Sequence, residues 1–226
     1  MNLHNELPAA VSPPAPLWLR LAFVAAGLAA WFGSQSLIGQ RSFPQGAIGD
    51  ALHLWTAPLH DYLIDHPQAA NALLIVSSAV VDLVGVSLLF LSVFGASVRP
   101  FLGLLMLFIL RQVCEGLCSL PAPDAMIWHK TSVPTLLVTY GVSTDLFFSG
   151  HTGLAVLGAV ELARTRSRVL LILGVCIALF EASTVLILRA HYTMDVFTGA
   201  VTALWVWTAA SALAPALDQS LESLFG

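Results

Sequence analysis

Two histidine motifs in the chain have neighbours suited to phosphoryl chemistry. In "RAHYTMD" (189–195), His191 stands four residues before Asp195. On a helix that spacing stacks the two on one face. A carboxylate beside an imidazole fixes its tautomer and stabilises the protonated ring. The opposite nitrogen is then a better base or nucleophile. In "FFSGHTG" (147–153), Ser149, Gly150 and His151 stand at the expected start of an apolar helix. A helix N-terminus offers unpaired N–H groups and the positive end of a dipole, which suit a phosphate. Ser149 adds a hydroxyl donor, and Gly150 lets a ligand approach the backbone. His151 can give a proton to a leaving oxygen. Taken singly, each motif also fits a packed polar residue.

The elements that position these motifs must be membrane helices. The 226 residues are 58% hydrophobic and 10% charged, against about a quarter charged in soluble domains. The mean hydropathy is +0.85. The expected fold is an all-α integral membrane protein with six spans, near 17–38, 69–95, 100–119, 147–164, 168–188 and 191–213. Residues 1–16 are proline-rich, lack the basic start of a signal peptide and are expected to be a disordered lead-in. Residues 17–213 form one expected catalytic domain, followed by a short tail over 214–226. Between the first two spans, "IGDALHLWTAPLHDYL" reads as a short interfacial helix, with Trp55 and Tyr62 in the headgroup layer. His53, His60 and His66 are expected to be solvated or interfacial there. A net charge of −4 with no basic patch argues against nucleic acid as a partner. Cys114, Cys118 and Cys176 all lie in apolar stretches. That disfavours a disulfide framework, and no His or Cys flanks them at zinc spacing. No metal and no cofactor is expected. The sequence leaves the oligomeric state open.

Lys and Arg in the loops orient the spans. With a cytoplasmic N-terminus, that side carries Arg20, Arg99, Arg164, Arg166 and Arg168, and the other side Arg41, Lys130 and Arg189. Both termini are therefore expected in the cytoplasm. The starts of the fourth and sixth spans and the end of the third then share the lumenal, periplasmic or extracellular side. His151, His191 and the "SLPAP" loop can meet there.

Charge inside a bilayer is expensive, roughly 2.5–3.5 kcal/mol at the centre. Asp82, Arg111, Glu115, Glu161, Glu181 and Asp195 fall in or near the expected spans. Glu161 can reach the "RTRSR" cluster and reads as structural. Asp82 and Glu181 fit either interhelical glue or a site. Arg111 and Glu115, four apart, are either a self-neutralising pair or a phosphate-facing arginine with an orienting carboxylate. Arg111 lies toward the histidine end of its helix, which favours the second reading.

With those residues in view, "SGHT" and "HYTMD" resemble the signature of sphingomyelin synthases and related lipid phosphotransferases, within the wider superfamily of type-2 phosphatidic acid phosphatases. "DLFFSGHT" resembles sphingomyelin synthases further, with Asp145 six residues before His151. "RQVCEGLCSLPAPD" is similar to their Arg-containing helix ending in a Leu-Pro-x-Pro turn. The same elements resemble plant phosphatidylcholine:diacylglycerol cholinephosphotransferase. The motifs cover about 110–200. The resemblance implies the six-helix bundle of the phosphatase superfamily. It also implies a phospholipid donor and a lipid alcohol acceptor, diacylglycerol or ceramide, both within the bilayer. By the same resemblance His191 attacks phosphorus, Asp195 holds and charges its ring, and His151 protonates the departing alkoxide and later deprotonates the acceptor. Arg111, Ser149, Gly150, Glu115, Asp145, Tyr192 and Arg189 are the expected substrate-binding residues. A choline could rest on Trp128, Tyr140, Phe147, Phe148 or Tyr192.

Two departures separate the chain from the phosphatases. Their Lys-x6-Arg-Pro motif has no counterpart, because Ser92 precedes Arg99–Pro100 at that distance. Their Ser-Arg before the second histidine is replaced by Thr184–Val185. A phosphate monoester carries nearly two charges and a diester one, so the missing cations point to a diester and to transfer. Hydrolysis of lipid phosphates by the same chemistry is the alternative. A non-enzymatic bundle, with the histidines in packing or proton transfer, is the third reading.

Overall fold

The computed structural model describes residues 48–118, 120–138, 140 and 146–225. The expected tail 1–16, the first span 17–38 and Asp145 lie outside the described residues. Among the described residues there are seven helices and no strand: α1 (Ala51–Trp55), α2 (Ala57–Asp65), α3 (Pro67–Phe94), α4 (Arg99–Leu117), α5 (Gly150–Ala163), α6 (Arg168–Ile187) and α7 (Thr193–Phe225). Prolines in the first turn open α2, α3 and α4, where the missing N–H costs no intrahelical bond. Ser149 and Ser167 cap α5 and α6.

Four of these helices, α3, α4, α6 and α7 through Ser220, are long and apolar enough to cross a membrane. The segment expected as the fourth span is different. α5 has only 14 residues. Its length of about 21 Å falls short of the ~30 Å hydrocarbon core. It is the central helix, packed against α3, α4, α6 and α7, and buried along most of its length. Other helices rather than lipid surround it, so its length need not match the bilayer. At the other extreme, α7 runs through Pro215 to Phe225, past the end expected at 213.

One apolar core fixes the ends that matter. Val81 and Leu88 of α3, Leu104 and Leu107 of α4, Leu154 and Leu157 of α5, and Ala203 and Val206 of α7 form a single buried cluster. Close approach at one crossing then aligns α5 with α7. A Cβ on Gly199 would stand 2.5 Å from the backbone oxygen of Ser149, closer than real side chains pack. Gly199→Ala must therefore push the two helix starts apart. It is expected to cost about 1–3 kcal/mol, read as a lower thermal midpoint in detergent. Gly116→Ala is the control, because a Cβ there meets nothing within 4 Å.

The buried charges find partners, and one differs from expectation. Glu161 does not reach the "RTRSR" cluster. It takes two bonds from Arg99, including Nε to Oε1 at 3.1 Å, because the start of α4 lies beside the end of α5. Arg99 thus sits at the end of α4 away from Arg111. Asp82 accepts the N–H groups of Leu136 and Leu137, each at 2.8 Å, and so tethers the loop after α4. Glu181, fully buried, accepts a 2.6 Å bond from Ser77.

Candidate active site

α6 ends in a Schellman motif that sets the position of His191. Ala190 N–H donates to Val185 O at 2.8 Å and Arg189 N–H to Leu186 O at 3.1 Å. Arg189 occupies the left-handed position, with φ 53. Its guanidinium turns to Asp124 O at 3.2 Å. Arg189, expected to bind substrate, instead closes this turn and does not line the cavity described below. The loop after α4 docks on the same turn. Ile127 N–H donates to Leu188 O at 2.9 Å, and the Tyr192 hydroxyl to Pro121 O at 3.1 Å.

His191 precedes α7 by two residues, so the expected helical stacking on Asp195 does not form. Its Nδ1 lies 2.8 Å from the Leu146 carbonyl and 3.7 Å from Asp195 Oδ2. A carbonyl only accepts, so Nδ1 carries the proton and Nε2 keeps the lone pair. The orienting partner is thus the Leu146 backbone, which the residue pattern did not indicate. Asp195 is the third residue of α7 and reaches back to Tyr192 N–H at 2.8 Å, as in a capping box. It stays close enough to act on the ring electrostatically. Its Oδ1 is buried without a partner.

The two motifs are joined directly. Ser149 N–H donates to Asp195 O at 3.1 Å. The Ser149 side chain, expected to face a phosphate, is fully buried and caps α5 through Thr152 N–H at 3.3 Å and Thr152 Oγ1 at 3.1 Å. Gly150 is crowded by an arginine: a Cβ there would stand 3.2 Å from Arg111 Nε. The missing side chain lets the guanidinium lie against the helix start. Arg111 Nε donates to Phe148 O at 2.9 Å, and its head pairs with Glu115 at 2.6 Å.

Arg111, Gly150, His151 and His191 line one cavity of about 50 Å³, walled by Val81, Phe108, Trp128, Leu137, Val138, Leu146, Leu154 and Ala190. A water needs about 10–15 Å³ on this measure, so there is room for a group of phosphoryl size. His151 Nε2 is buried and has no protein partner. The Trp128 ring stands edge-on to His151 at 5.3 Å and lies 4.9 Å from Tyr140. Glu115, Ser149, Asp195, Arg189 and Tyr192 adjoin these residues without lining the cavity. Tyr192 stacks on His53 at 5.6 Å instead. Burial holds the Tyr192 phenol above its ordinary pKa, with Asp124, Asp195 and Asp50 adding to the effect.

The interfacial stretch holds residues whose role the sequence did not reveal. His53 and His60, expected to be solvated or interfacial, are buried against the protein. His53 Nε2 donates to His191 O at 2.9 Å and His60 Nδ1 to Ile187 O at 2.8 Å. Their spacing of seven, two helical turns, is the signal that could have placed them on one face. Asp50 accepts Thr193 N–H and Thr193 Oγ1, each at 2.6 Å, as well as Leu52 and His53 N–H. Burial raises the Asp50 pKa, but these bonds and the nearby His53 outweigh it, and the net shift is downward. A lowered folded pKa contributes stability above the unfolded value, about 3.9. That contribution is lost as pH falls through the folded value. The thermal midpoint of Asp50→Ala should therefore lie below wild type at pH 7, and the gap should narrow as the buffer is taken below pH ~4.

A family model, AtPDCT1/2, matches residues 49–212, more than two thirds of the chain. No curated protein and no solved structure matches. The matched stretch contains Asp50, Arg111, His151, His191 and Asp195. The chain belongs to the AtPDCT1/2 family, that of phosphatidylcholine:diacylglycerol cholinephosphotransferase.

Proposed function

We propose that the protein moves phosphocholine from phosphatidylcholine to diacylglycerol by way of His191. The observation that carries this reading is the shared cavity of Arg111, His151 and His191. His191 Nε2 attacks phosphorus. A nitrogen–phosphorus bond forms and the bond to the glyceride oxygen breaks. Burial and the neighbouring His191 and Arg111 disfavour a charged His151 ring without substrate, and the negative phosphodiester favours it; the imidazolium so formed gives its proton to that oxygen, and diacylglycerol leaves. The modified His191 ring carries positive charge, which Asp195 at 3.7 Å stabilises and the Leu146 carbonyl holds in place. The acceptor hydroxyl then attacks phosphorus, its proton returns to His151, and His191 is freed. Arg111, aligned by Glu115, balances the phosphodiester charge, and the N–H groups opening α5 add to it. Histidine supplies both nucleophile and proton carrier, so the steps call on no metal or cofactor.

Among the described residues lining the cavity, Arg111 is the one fixed cation. One fixed cation, already shared with Glu115, falls further short of a monoester's charge than of a diester's, which favours transfer over phosphatase action. Trp128, backed by Tyr140, offers an aromatic face for the quaternary ammonium. Orientation follows the described Lys and Arg residues. Arg99, Arg164, Arg166 and Arg168 lie at the end away from the histidines, and Lys130 and Arg189 at the histidine end. The positive-inside rule puts the site on the lumenal, periplasmic or extracellular side and both termini in the cytoplasm. The four long helices and central α5 supply five helices of the proposed bundle.

The test uses the full chain in liposomes with headgroup-labelled phosphatidylcholine and diacylglycerol of distinguishable acyl chains. Labelled phosphatidylcholine bearing the acceptor's chains is the expected product. Release of phosphocholine to water, or phosphate from phosphatidic acid, with no labelled lipid product would contradict transfer. Ceramide in place of diacylglycerol tests the acceptor.

A further inference from the structure

Three consecutive residues at the nucleophile are each held by α1 and its cap. His53 Nε2 donates to His191 O at 2.9 Å. The His53 ring stacks on Tyr192 at 5.6 Å. Asp50 accepts both the N–H and the hydroxyl of Thr193 at 2.6 Å. The same Asp50 carboxylate caps α1 through Leu52 and His53 N–H, so one side chain joins the start of α1 to the start of α7. His60 fastens the other end of the turn at Ile187 O. The opposite face is apolar and exposed, with Leu54 at 74% and Trp55 at 76%. The strap thus turns its polar side inward to the nucleophile's turn, and its apolar side is free to rest in the interface. None of these side chains lines the cavity, and the family match opens at residue 49, just before them.

We infer that Asp50 and His53 are positioning residues for His191: they fix the backbone from which its ring reaches the phosphorus. This rests on the transfer reading above. The Leu146 carbonyl sets the rotation of the ring, but the ring's position follows from its main chain, which the strap holds. A displacement of about 1 Å at a reacting group can cost on the order of 10²-fold in rate. Loss of one of several restraints should cost less. His53 acts through an N–H donor, so any side chain that presents an N–H at the same place can replace it.

The experiment compares wild type with His53→Phe, His53→Gln and Asp50→Ala. His53→Phe keeps a ring against Tyr192 and loses the donor, whereas His53→Gln restores a donor. Each variant is first matched to wild type by monodispersity in detergent. The expected result is a kcat lower by about tenfold in His53→Phe, with KM within about twofold and kcat largely recovered in His53→Gln. A kcat for His53→Phe within about twofold of wild type overturns the inference, as does a loss that His53→Gln fails to recover. Hydrogen–deuterium exchange over 187–196 supplies a readout that does not need activity. Faster exchange there in His53→Phe and Asp50→Ala supports the strap even if wild type transfers no headgroup. Unchanged exchange overturns it. Failure of the transfer reading shows separately, as wild-type turnover that survives His191→Ala.

Discussion

His191→Ala is expected to lower headgroup transfer by at least about 10³-fold, because removing a nucleophile removes the route rather than a contact on it. KM should change little beside kcat, since the proposal gives the holding of the phosphate to Arg111 and the start of α5. Alanine also deletes the bond to Leu146, so a loss of fold must be kept apart from a loss of chemistry. His191→Asn does this. Its amide N–H can still donate to the Leu146 carbonyl, but the side chain has no nucleophilic nitrogen. Both variants should be equally inactive, with Asn nearer wild type in thermal midpoint. Turnover by either at more than about a tenth of the wild-type rate would remove His191 from the proposed role.

His151→Ala should fall by about 10²–10⁴-fold with phosphatidylcholine, the range for loss of a general acid–base group. The size of the loss should depend on the leaving group. A glyceride alkoxide needs a proton as it departs; p-nitrophenolate does not. With p-nitrophenyl phosphocholine as donor, the variant should release nitrophenolate within about tenfold of wild type. An equal loss with both donors would mean that His151 binds or supports rather than moves protons. His151 Nε2 has no protein partner in its buried place. An unbonded polar atom buried in a cavity costs stability, so a structural histidine there would be a poor choice. Fully satisfied elsewhere, it would have argued for packing.

Much of this site was legible in the residue pattern, for physical reasons that also mark where the reading stopped. "SGH" and "HYTMD" could be placed at one end of the chain's helices because spans must alternate direction. Arg111 could be added because a charge in a span needs a reason. The small residues that let the motifs touch, Gly150 and Gly199, are visible as letters, but their closeness is a property of helix crossings. The backbone partners were not legible: Leu146 O orients His191 and Phe148 O holds Arg111, and every residue carries such a carbonyl whatever its side chain. The i, i+4 spacing of His191 and Asp195 suggested a helix that begins two residues later, so the pair forms by a turn and a cap. Ser149 looked like a ligand donor because a serine at a helix start serves as cap or donor with the same letter. The outward face of the strap was legible, since Trp55 and Tyr62 suit a headgroup layer and both are exposed. Its inward face was not: a histidine serves water or a buried carbonyl with the same letter, and His53 and His60 face the protein. The central helix was expected to span because its composition is apolar; being walled by four helices makes a sequence just as apolar as lipid does.

A headgroup that rests on His191 between the two half-reactions, as proposed, can be trapped there. Full-length protein in liposomes is mixed with headgroup-labelled phosphatidylcholine, with no added acceptor, and quenched within one turnover. Peptides are then mapped under alkaline conditions, where phosphoramidate bonds persist. Label is expected on the peptide bearing His191, lost on brief acid treatment and on addition of diacylglycerol before the quench, and absent from His191→Asn. Transfer proceeding at its full rate with no label on the protein, or with label on another residue, would contradict it.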